Sequence, residues 1–236
     1  MMWINTSKRS EAPETMDNFN MEGEILRDAL DKIASINQLL GGNKITLEGI
    51  KILIKAKPGQ EIIRIIDIGC GNGDMLRTLA EYAKKNKLNL ELKGIDANNF
   101  TIEHAKNLSA KYGNITYECK DIFKDKNDEC DIMLCTLTLH HFNDEEVLYL
   151  LAQYKRLAKL GIVINDLNRN ALAYYLFKAL CFVFKLNDMS REDGLISILR
   201  GFKKADLLAY STALDLKFFS IKWKWAFRYQ WIIKTQ

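Results

Sequence analysis

The chain has 236 residues, of which 48% are hydrophobic and 27% charged, and its formal net charge is +4. This length suits one large α/β domain with a helical appendage, and the composition is that of an ordinary soluble globular protein. The charge is too small, and the lysines too scattered, to indicate a nucleic-acid partner. The first twenty residues lack the apolar core of a signal peptide, so a cytoplasmic protein is expected.

Cysteine usage agrees with that compartment. The five cysteines show no C-x-x-C spacing, and three of them lie in or at the end of predicted buried strands. They are therefore expected to be reduced thiols: Cys70, Cys119, Cys130, Cys135 and Cys181.

The N-terminal region divides into two parts. Residues 1–20 are polar and aperiodic, which predicts a flexible, loosely attached segment. Residues 21–59 predict a helical cap, whose first helix is amphipathic, runs from Glu24 to Leu40 and stops at Gly41-Gly42.

The second helix of this cap has Thr46 as its predicted N-cap and ends at Pro58-Gly59. The two helices precede the first strand, and two roles are open for them. They cover either the substrate side of the domain or an edge of the sheet.

Residues 60–236 predict an α/β domain, because strands and helices alternate and this favours a doubly wound parallel sheet with right-handed crossovers. A helical insertion at about 168–212 follows, and then Leu214–Ser220 and Trp225–Ile233 predict two paired antiparallel strands. The predicted strands of the alternating part are 64–68, 90–95, 115–119, 131–136 and 160–165, and its helices are 74–86, 101–112 and 143–158.

The stretch R-I-I-D-I-G-C-G-N-G at 64–73 joins a buried strand to a helix through a glycine loop, which lets the backbone approach a ligand closely. A dinucleotide fingerprint would need glycine at position 74, where Asp74 stands instead. Asp67 and Asp74 would repel a pyrophosphate but suit a cationic nucleoside without phosphates. Asp96 ends the next strand, where a carboxylate can bind ribose hydroxyls.

These motifs resemble those of class I S-adenosylmethionine (SAM)-dependent methyltransferases. D-I-G-C-G-N-G resembles their first motif, which often begins with Glu where this chain has Asp67. Asp96 matches their ribose-binding acid, and C-K-D-I at 119–122 resembles the site where an acid, here Asp121, faces the adenine amino group. The resemblance implies a seven-stranded, mostly parallel Rossmann-like sheet with an antiparallel C-terminal strand, SAM as cofactor and S-adenosylhomocysteine as product. The cofactor-binding residues expected are Asp67, Gly69, Cys70, Gly71, Asp74, Asp96, Ala97, Asp121, Ile122 and Thr136.

The candidate base lies in L-H-H-F at 139–142, just past the fourth strand. This segment resembles that of small-molecule methyltransferases of quinone and polyketide biosynthesis, where it lies against the methionine part of the cofactor. His140 and His141 are therefore either a base or structural residues, and His140 is the preferred base because it is nearer the strand end. No metal is expected, since adjacent histidines point in different directions and no other ligand cluster is present.

Two further segments are candidates for the acceptor site. Asp166 and Arg169 either contact the acceptor or are solvated at a helix start with Asn168 as N-cap. The apolar helix at 171–186, which includes Tyr174, forms either a wall over the acceptor or a buried core helix. It is too short to span a membrane.

The sequences I-N-D-L-N-R-N-A-L-A-Y at 164–174 and I-N-Q-L-L-G-G-N-K-I-T-L at 36–47 resemble a bacterial subgroup associated with type III polyketide and related secondary-metabolite pathways. This resemblance says little about the acceptor. With the apolar helix at 171–186, the leading hypothesis is methylation of a small hydrophobic or phenolic acceptor, at oxygen, by a monomer or homodimer. One alternative is a SAM-binding pathway protein without catalysis. A nucleic-acid methyltransferase is disfavoured, because residues 135–138 lack the N/D-P-P-Y/F motif.

Overall fold

The structure is a computed structural model that describes residues 4–55, 61–125 and 128–235. Seven strands and eight α-helices are present in these ranges. The helices are α1 Glu24–Leu39, α2 Gly42–Ile54, α3 Asp74–Asn86, α4 Asn99–Leu108, α5 Asp144–Leu157, α6 Ala171–Val183, α7 Asp188–Arg200 and α8 Lys204–Ala213. The strands are β1 Ile63–Ile68, β2 Leu90–Asp96, β3 Ile115–Cys119, β4 Cys130–Thr136, β5 Ala158–Leu167, β6 Phe218–Lys224 and β7 Arg228–Lys234.

The strands form one sheet in the order β3-β2-β1-β4-β5-β7-β6. Every neighbouring pair from β3 to β5 is parallel, and β7 runs antiparallel to both β5 and β6. This confirms the predicted seven-stranded sheet with an antiparallel C-terminal strand. The strand order reverses between β1 and β4, so a ligand site is expected beyond the carboxyl ends of these two strands.

Both faces of the sheet are covered, which explains the nearly continuous apolar runs of the central strands. On one face, Leu134 of β4 belongs to a cluster with Leu53 of α2 and Leu79 of α3. On the other face, Met133 belongs to a cluster with Trp231 of β7. The carboxyl ends of the strands are thereby held in fixed positions relative to one another.

The C-terminal strands begin three to four residues later than predicted. Helix α8 extends to Ala213, and Leu216 packs into the core in the connection before β6. Trp225 is 71% exposed and lies in the turn, where Ala226 and Phe227 have φ of 61° and 54°. The apolar composition of 214–217 and 225–227 thus reflects a buried connection and a hairpin turn, not strand.

Helix α2 begins at Gly42, so the predicted N-cap at Thr46 is wrong. Gly41 adopts a left-handed conformation (φ 77°), and this turns the chain directly from α1 into α2. Thr46 is fully buried inside the helix, where its hydroxyl lies 3.1 Å from that of Thr136. The predicted stop at Pro58-Gly59, and with it the boundary between residues 59 and 60, lies outside the described residues.

The two N-terminal helices have different roles. Helix α2 packs on β4, β5 and β7, so it covers a face of the sheet. Helix α1 packs on α2 and α4, and its Leu26, Leu30 and Ile33 line the large cavity described below. One helix therefore covers the sheet and the other covers the ligand side.

The segment from residue 4 to 18, which we expected to be loosely attached, is bound to the domain through Arg9. Its guanidinium donates to the carbonyls of Arg200 and Phe142, both at 2.8 Å, and pairs with Asp144 at 2.6 Å. Arg200 is the last residue of α7, so its carbonyl has no partner within the helix. Arg9 of this polar segment thus provides hydrogen bonds to carbonyl groups of the domain. The polar composition alone did not predict this attachment.

No helix in the described ranges is long and apolar enough to cross a membrane. The five cysteines are free thiols, as expected, and Cys119 is exposed.

Replacing Arg9 with Met should lower the free energy of unfolding by about 1–3 kcal/mol, because five acceptors lose a charged donor. Urea unfolding measures this, and amide exchange should become faster at residues 5–18. Lys8→Met is the control, since Lys8 is exposed. Equal stability of the two variants would show that the Arg9 contacts do not hold the segment.

Candidate active site

The glycine loop at 69–73 connects β1 to α3 and is packed against the loop after β4. Gly69 and Gly73 have φ of 66° and 78°, a region that favours glycine. A Cβ on Gly69 would lie 2.5 Å from the Thr138 methyl group, and one on Gly73 would lie 2.0 Å from the Tyr117 hydroxyl. The glycines are therefore required by both conformation and packing.

Asp96 at the end of β2 is tied to this loop. Its Oδ2 accepts a hydrogen bond from the backbone N–H of Gly71 at 3.1 Å, and its Oδ1 accepts one from Asn98 N–H at 3.1 Å. Burial raises the pKa of this carboxyl, and the backbone donors oppose the rise. The carboxylate is thus fixed at the floor of a cavity, with lone pairs left for a ribose.

Asp67 is the least compensated carboxylate of the site. It is 2% exposed, and its Oδ1 has no hydrogen-bond partner. Burial, followed by the like charges of Asp74 and Asp96, raises its pKa well above the ordinary value. Asp74 accepts a hydrogen bond from Asn43 Nδ2 at 2.9 Å. A cationic ligand beside Asp67 would relieve this repulsion.

The far end of the cavity lies past β3. Asp121 Oδ1 accepts from the N–H of Phe123 at 3.0 Å, and Oδ2 pairs with Lys124 at 2.7 Å. The hydrogen bond from Lys124 is the main reason that the pKa of Asp121 is lowered. Ile122 lies beside Asp121 and offers an apolar surface for a nucleobase.

These parts surround one cavity of about 860 Å³. All ten residues expected to bind the cofactor line it: Asp67, Gly69, Cys70, Gly71, Asp74, Asp96, Ala97, Asp121, Ile122 and Thr136. The free Asp67 oxygen, the fixed Asp96 carboxylate and the glycine loop fit a cationic nucleoside. The volume leaves room for a second molecule.

An apolar wall closes the opposite side of the cavity. It is formed by Ala173, Leu176, Phe177 and Leu180 of α6, and by Leu26 and Leu30 of α1. Helix α6 is not a buried core helix, because Phe182 and Val183 are 88% and 73% exposed. Of the two readings of this helix, the wall agrees with the structure.

His140 lies at the cavity and is held by a buried carboxylate. Its Nδ1 is 2.7 Å from Asp166 Oδ1, and its backbone N–H donates to Asp166 Oδ2 at 3.3 Å. Burial favours the neutral form of Asp166, but attraction to His140 and its hydrogen bond hold the pKa of Asp166 below its usual range. When the imidazole is neutral, this hydrogen bond to an ionised carboxylate places its proton on Nδ1 and leaves Nε2 as an acceptor.

His141 contacts the N-terminal segment instead of the sheet. Its Nδ1 lies 2.7 Å from Asp17 Oδ1. Glu14 Oε1 lies 3.9 Å from His140 Nε2 and 3.8 Å from His141 Nδ1. Burial raises the pKa of Glu14, although His141 and a hydrogen bond from Ser197 act in the opposite direction.

Glu14, His140 and His141 place three potential metal-ligand atoms within 4.8 Å of one another. We expected adjacent histidines to point apart, but residues 139–141 form a 3-10 turn in which the two rings lie 4.3 Å apart. Arg200 Nε is 3.8 Å from Glu14 Oε1, so a cation bound there would meet a guanidinium. That the site takes no metal stays a prediction.

Neither Asp166 nor Arg169 lines the cavity, so the expected acceptor contacts are corrected. Asp166 lies behind His140. Arg169 is 3% exposed and donates to the carbonyls of Gly201 at 2.5 Å and Thr6 at 3.0 Å, and it pairs with Asp206 at 3.0 Å. The chain after β5 folds back on the junction between α7 and α8, which turns Arg169 inward.

The start of α6 also differs from the prediction. The N-cap is Asn170 and not the predicted Asn168. The side chain of Asn170 accepts a hydrogen bond from the backbone N–H of Ala173. Ala173 and Phe177 share the helix face that lines the cavity, whereas Tyr174 lies about 100° around the helix and does not line it. Tyr174 packs edge-to-face on Tyr175 at 5.6 Å instead.

Glu14, Asp17, Asn37 and Arg228 are among the polar residues at or beside the cavity that the sequence analysis missed. The first two belong to a segment without periodicity, and Asn37 lies in the amphipathic first helix. The strand pattern could have predicted that Arg228 is buried. Arg228 lies on the same strand face as Gln230 and Ile232, which are buried.

Replacing Arg169 with Met should destabilise the protein by about 2–3 kcal/mol, since buried carbonyls lose a charged donor. Urea unfolding measures the effect. Arg191→Met is the matched control, because Arg191 is partly exposed and pairs with Asp188 within the same helix, so a loss below about 0.5 kcal/mol is expected. A similarly small loss for Arg169→Met would contradict its structural role.

Residues 65–161 match the family model described as "Methyltransferase domain". No curated protein matches the chain.

Among solved structures, the chain is similar to the plantazolicin methyltransferase BpumL in complex with S-adenosylhomocysteine, with 17% identity over 88% of this chain and 89% of the other, and a TM-score of 0.65. It is similar to magnesium protoporphyrin IX methyltransferase (ChlM) from Synechocystis PCC 6803, with 16% identity over 84% and 85%, and a TM-score of 0.54. A putative O-methyltransferase from Nostoc punctiforme PCC 73102 shows 16% identity over 87% of this chain and 59% of the other, with a TM-score of 0.57.

At these identities the solved structures show the fold. The family model shows a methyltransferase domain across β1 to β5, the part that carries the glycine loop and Asp96. The sheet order and the carboxylates at the strand ends agree with it. Residues 65–161 are thus a methyltransferase domain, set in a seven-stranded Rossmann-like fold.

Proposed function

We propose that this enzyme methylates a small apolar or phenolic molecule at an oxygen atom, with His140 as the base. The cavity is large enough for cofactor and acceptor together. BpumL, which has a similar fold, has been solved in complex with a monoazolic desmethylPZN analog and S-adenosylhomocysteine. This supports a small organic acceptor here.

The cofactor fits along the carboxyl ends of the strands. Asp121 and Ile122 would hold its adenine, and Asp96 its ribose hydroxyls. Asp67 would face its positively charged part, which would oppose the burial and the like charges that raise the pKa of this carboxyl. When bound, SAM supplies an electrophilic methyl group on a sulfonium, so the protein needs to position the acceptor and remove its proton.

The acceptor is proposed to lie between the α6 wall and His140. Phe177 and Leu180 of the wall supply apolar surface, which favours aromatic or aliphatic acceptors. The wall also excludes water from the reacting atoms, and this disfavours hydrolysis.

The single observation that carries the mechanism is the buried pair of His140 and Asp166, 2.7 Å apart. Asp166 fixes the tautomer in which Nε2 is free to accept a proton. His140 Nε2 would take the proton of the acceptor oxygen as this oxygen displaced the sulfonium sulfur from the methyl carbon, and S-adenosylhomocysteine would leave as a neutral thioether. Asp166 then stabilises the imidazolium, so it is a positioning residue.

Replacing Asp96 with Ala should weaken binding of S-adenosylhomocysteine by about 1–3 kcal/mol, because the ribose loses charge-assisted hydrogen bonds. Isothermal titration calorimetry measures this, with NAD as the ligand control and Glu103→Ala, an exposed carboxylate on α4, as the variant control. If the wild-type chain binds neither SAM nor its product, or binds NAD equally well, the proposed cofactor site is wrong.

Replacing His140 with Gln should lower kcat by about 10²–10⁴-fold, because the acceptor proton loses its base. Asp166→Asn should also lower kcat, and neither change should alter the affinity for S-adenosylhomocysteine. A panel of phenols and hydroxyquinones, assayed for methyl transfer, supplies the acceptor.

In the same panel, His141→Gln is the control for the loss of an imidazole near the cavity. It should lower kcat much less than His140→Gln does. Wild-type kcat in His140→Gln would exclude the base role. Tight SAM binding without transfer to any acceptor would favour the non-catalytic alternative.

A further inference from the structure

Helix α6 carries an apolar stripe on its solvent side. Four of its residues follow one another at intervals of four, three and four positions and therefore share one helix face: Leu172, Leu176, Ala179 and Val183. Phe182 lies beside them. Leu172 and Leu176 are 57% and 52% exposed, and Phe182 and Val183 are exposed further. A contiguous apolar stripe of this kind marks an interaction surface, whereas single exposed apolar residues do not.

The stripe continues into the mouth of the cavity. Leu176 belongs to both, because it lines the cavity and is half exposed. Phe19, before α1, and Trp225, in the turn between β6 and β7, also line the cavity and are 54% and 71% exposed. Three separate parts of the chain thus present apolar side chains at the mouth, which suits the entry of a molecule from an apolar phase.

The charges beside the stripe are positive. Residues 171–187 include Lys178 and Lys185 and no acid, and both lysines are exposed. Asp188, the first acid after this segment, pairs with Arg191 at 3.0 Å. An apolar helix face flanked by exposed lysines is typical of a helix that lies on an anionic lipid surface.

A second copy of this chain is the other candidate for the stripe. In a two-fold dimer the same face of each chain meets, so the lysines of both chains would approach one interface to which residues 171–187 bring no acid. Anionic headgroups supply that negative charge, and lysine side chains are long enough to reach them while the stripe is immersed. Trp225 is of the residue type that is enriched at the headgroup level. The charge therefore favours a membrane.

We propose that the outer face of α6 docks on an anionic membrane surface, with Phe182 and Val183 among the acyl chains and the mouth of the cavity turned to the lipid. The helix has 13 residues, so it lies on the bilayer and does not cross it. The docking is independent of the reaction. That the bilayer delivers the apolar acceptor rests on the proposed function.

The test is flotation of the purified chain with vesicles of phosphatidylcholine, with and without phosphatidylglycerol, in the absence of SAM and acceptor. The wild-type chain should bind the anionic vesicles about 10- to 30-fold more tightly, the range for two lysines near the surface. Lys178→Gln combined with Lys185→Gln should remove most of this preference. Phe182→Ser should weaken binding to the anionic vesicles by about 10- to 100-fold, because one inserted aromatic side chain is lost.

Phe218→Ser is the matched control. Phe218 is 63% exposed and pairs with Lys234, which in turn pairs with Gly161 near the start of β5, so it lies at the end of the sheet away from the cavity. This variant should bind vesicles as the wild-type chain does. Circular dichroism checks that both serine variants are folded, which is expected because both side chains are exposed.

Failure of the wild-type chain to bind anionic vesicles would overturn the docking, and so would equal binding by Phe182→Ser. Sedimentation velocity tests the other candidate: a dimer that Phe182→Ser dissociates, in place of vesicle binding, would assign the stripe to a second copy. A chain that binds S-adenosylhomocysteine but no vesicles refutes the docking alone. One that binds vesicles but neither SAM nor S-adenosylhomocysteine refutes the proposed function alone.

Discussion

Repulsion among buried carboxylates at one edge of the sheet is the constraint on which this site depends. The ends of β1 and β2 and the start of α3 bring Asp67, Asp74 and Asp96 together, and parallel strands leave no way to separate them. Like charges in a low-dielectric region are expensive unless partners are supplied. The hydrogen-bond partners of each carboxylate therefore determine the polar features of the cavity.

The partners differ from one acid to the next. Backbone N–H groups of the glycine loop and of α4 hold Asp96, and the proton of His140 holds Asp166. Asp67 has an oxygen without any protein partner. The protein thus supplies its own donors to Asp96 and Asp166, and it supplies none to one oxygen of Asp67.

The sequence predicted which strand-end residues would meet at the cavity, and it failed for the residues around the end of β5. Strand ends in a parallel sheet coincide in space, so the positions of Asp67, Asp96 and Asp121 follow from order along the chain. Asp166 lies in β5 and Arg169 follows that strand, yet both side chains turn away from the cavity because of contacts with His140 and with residues 201–206. Such contacts depend on how a helical insertion folds back, which no local pattern encodes.

Segments far apart in the sequence complete the cavity around this central sheet. The segment at 4–18 brings Asp17 to His141, and the last strand begins at Arg228. During synthesis, the glycine loop and Asp96 can therefore assemble well before β7 has left the ribosome. A chain at that stage would lack the start of β7, whose Arg228 lines the cavity. The order of synthesis thus makes the final strand the step that completes the cavity.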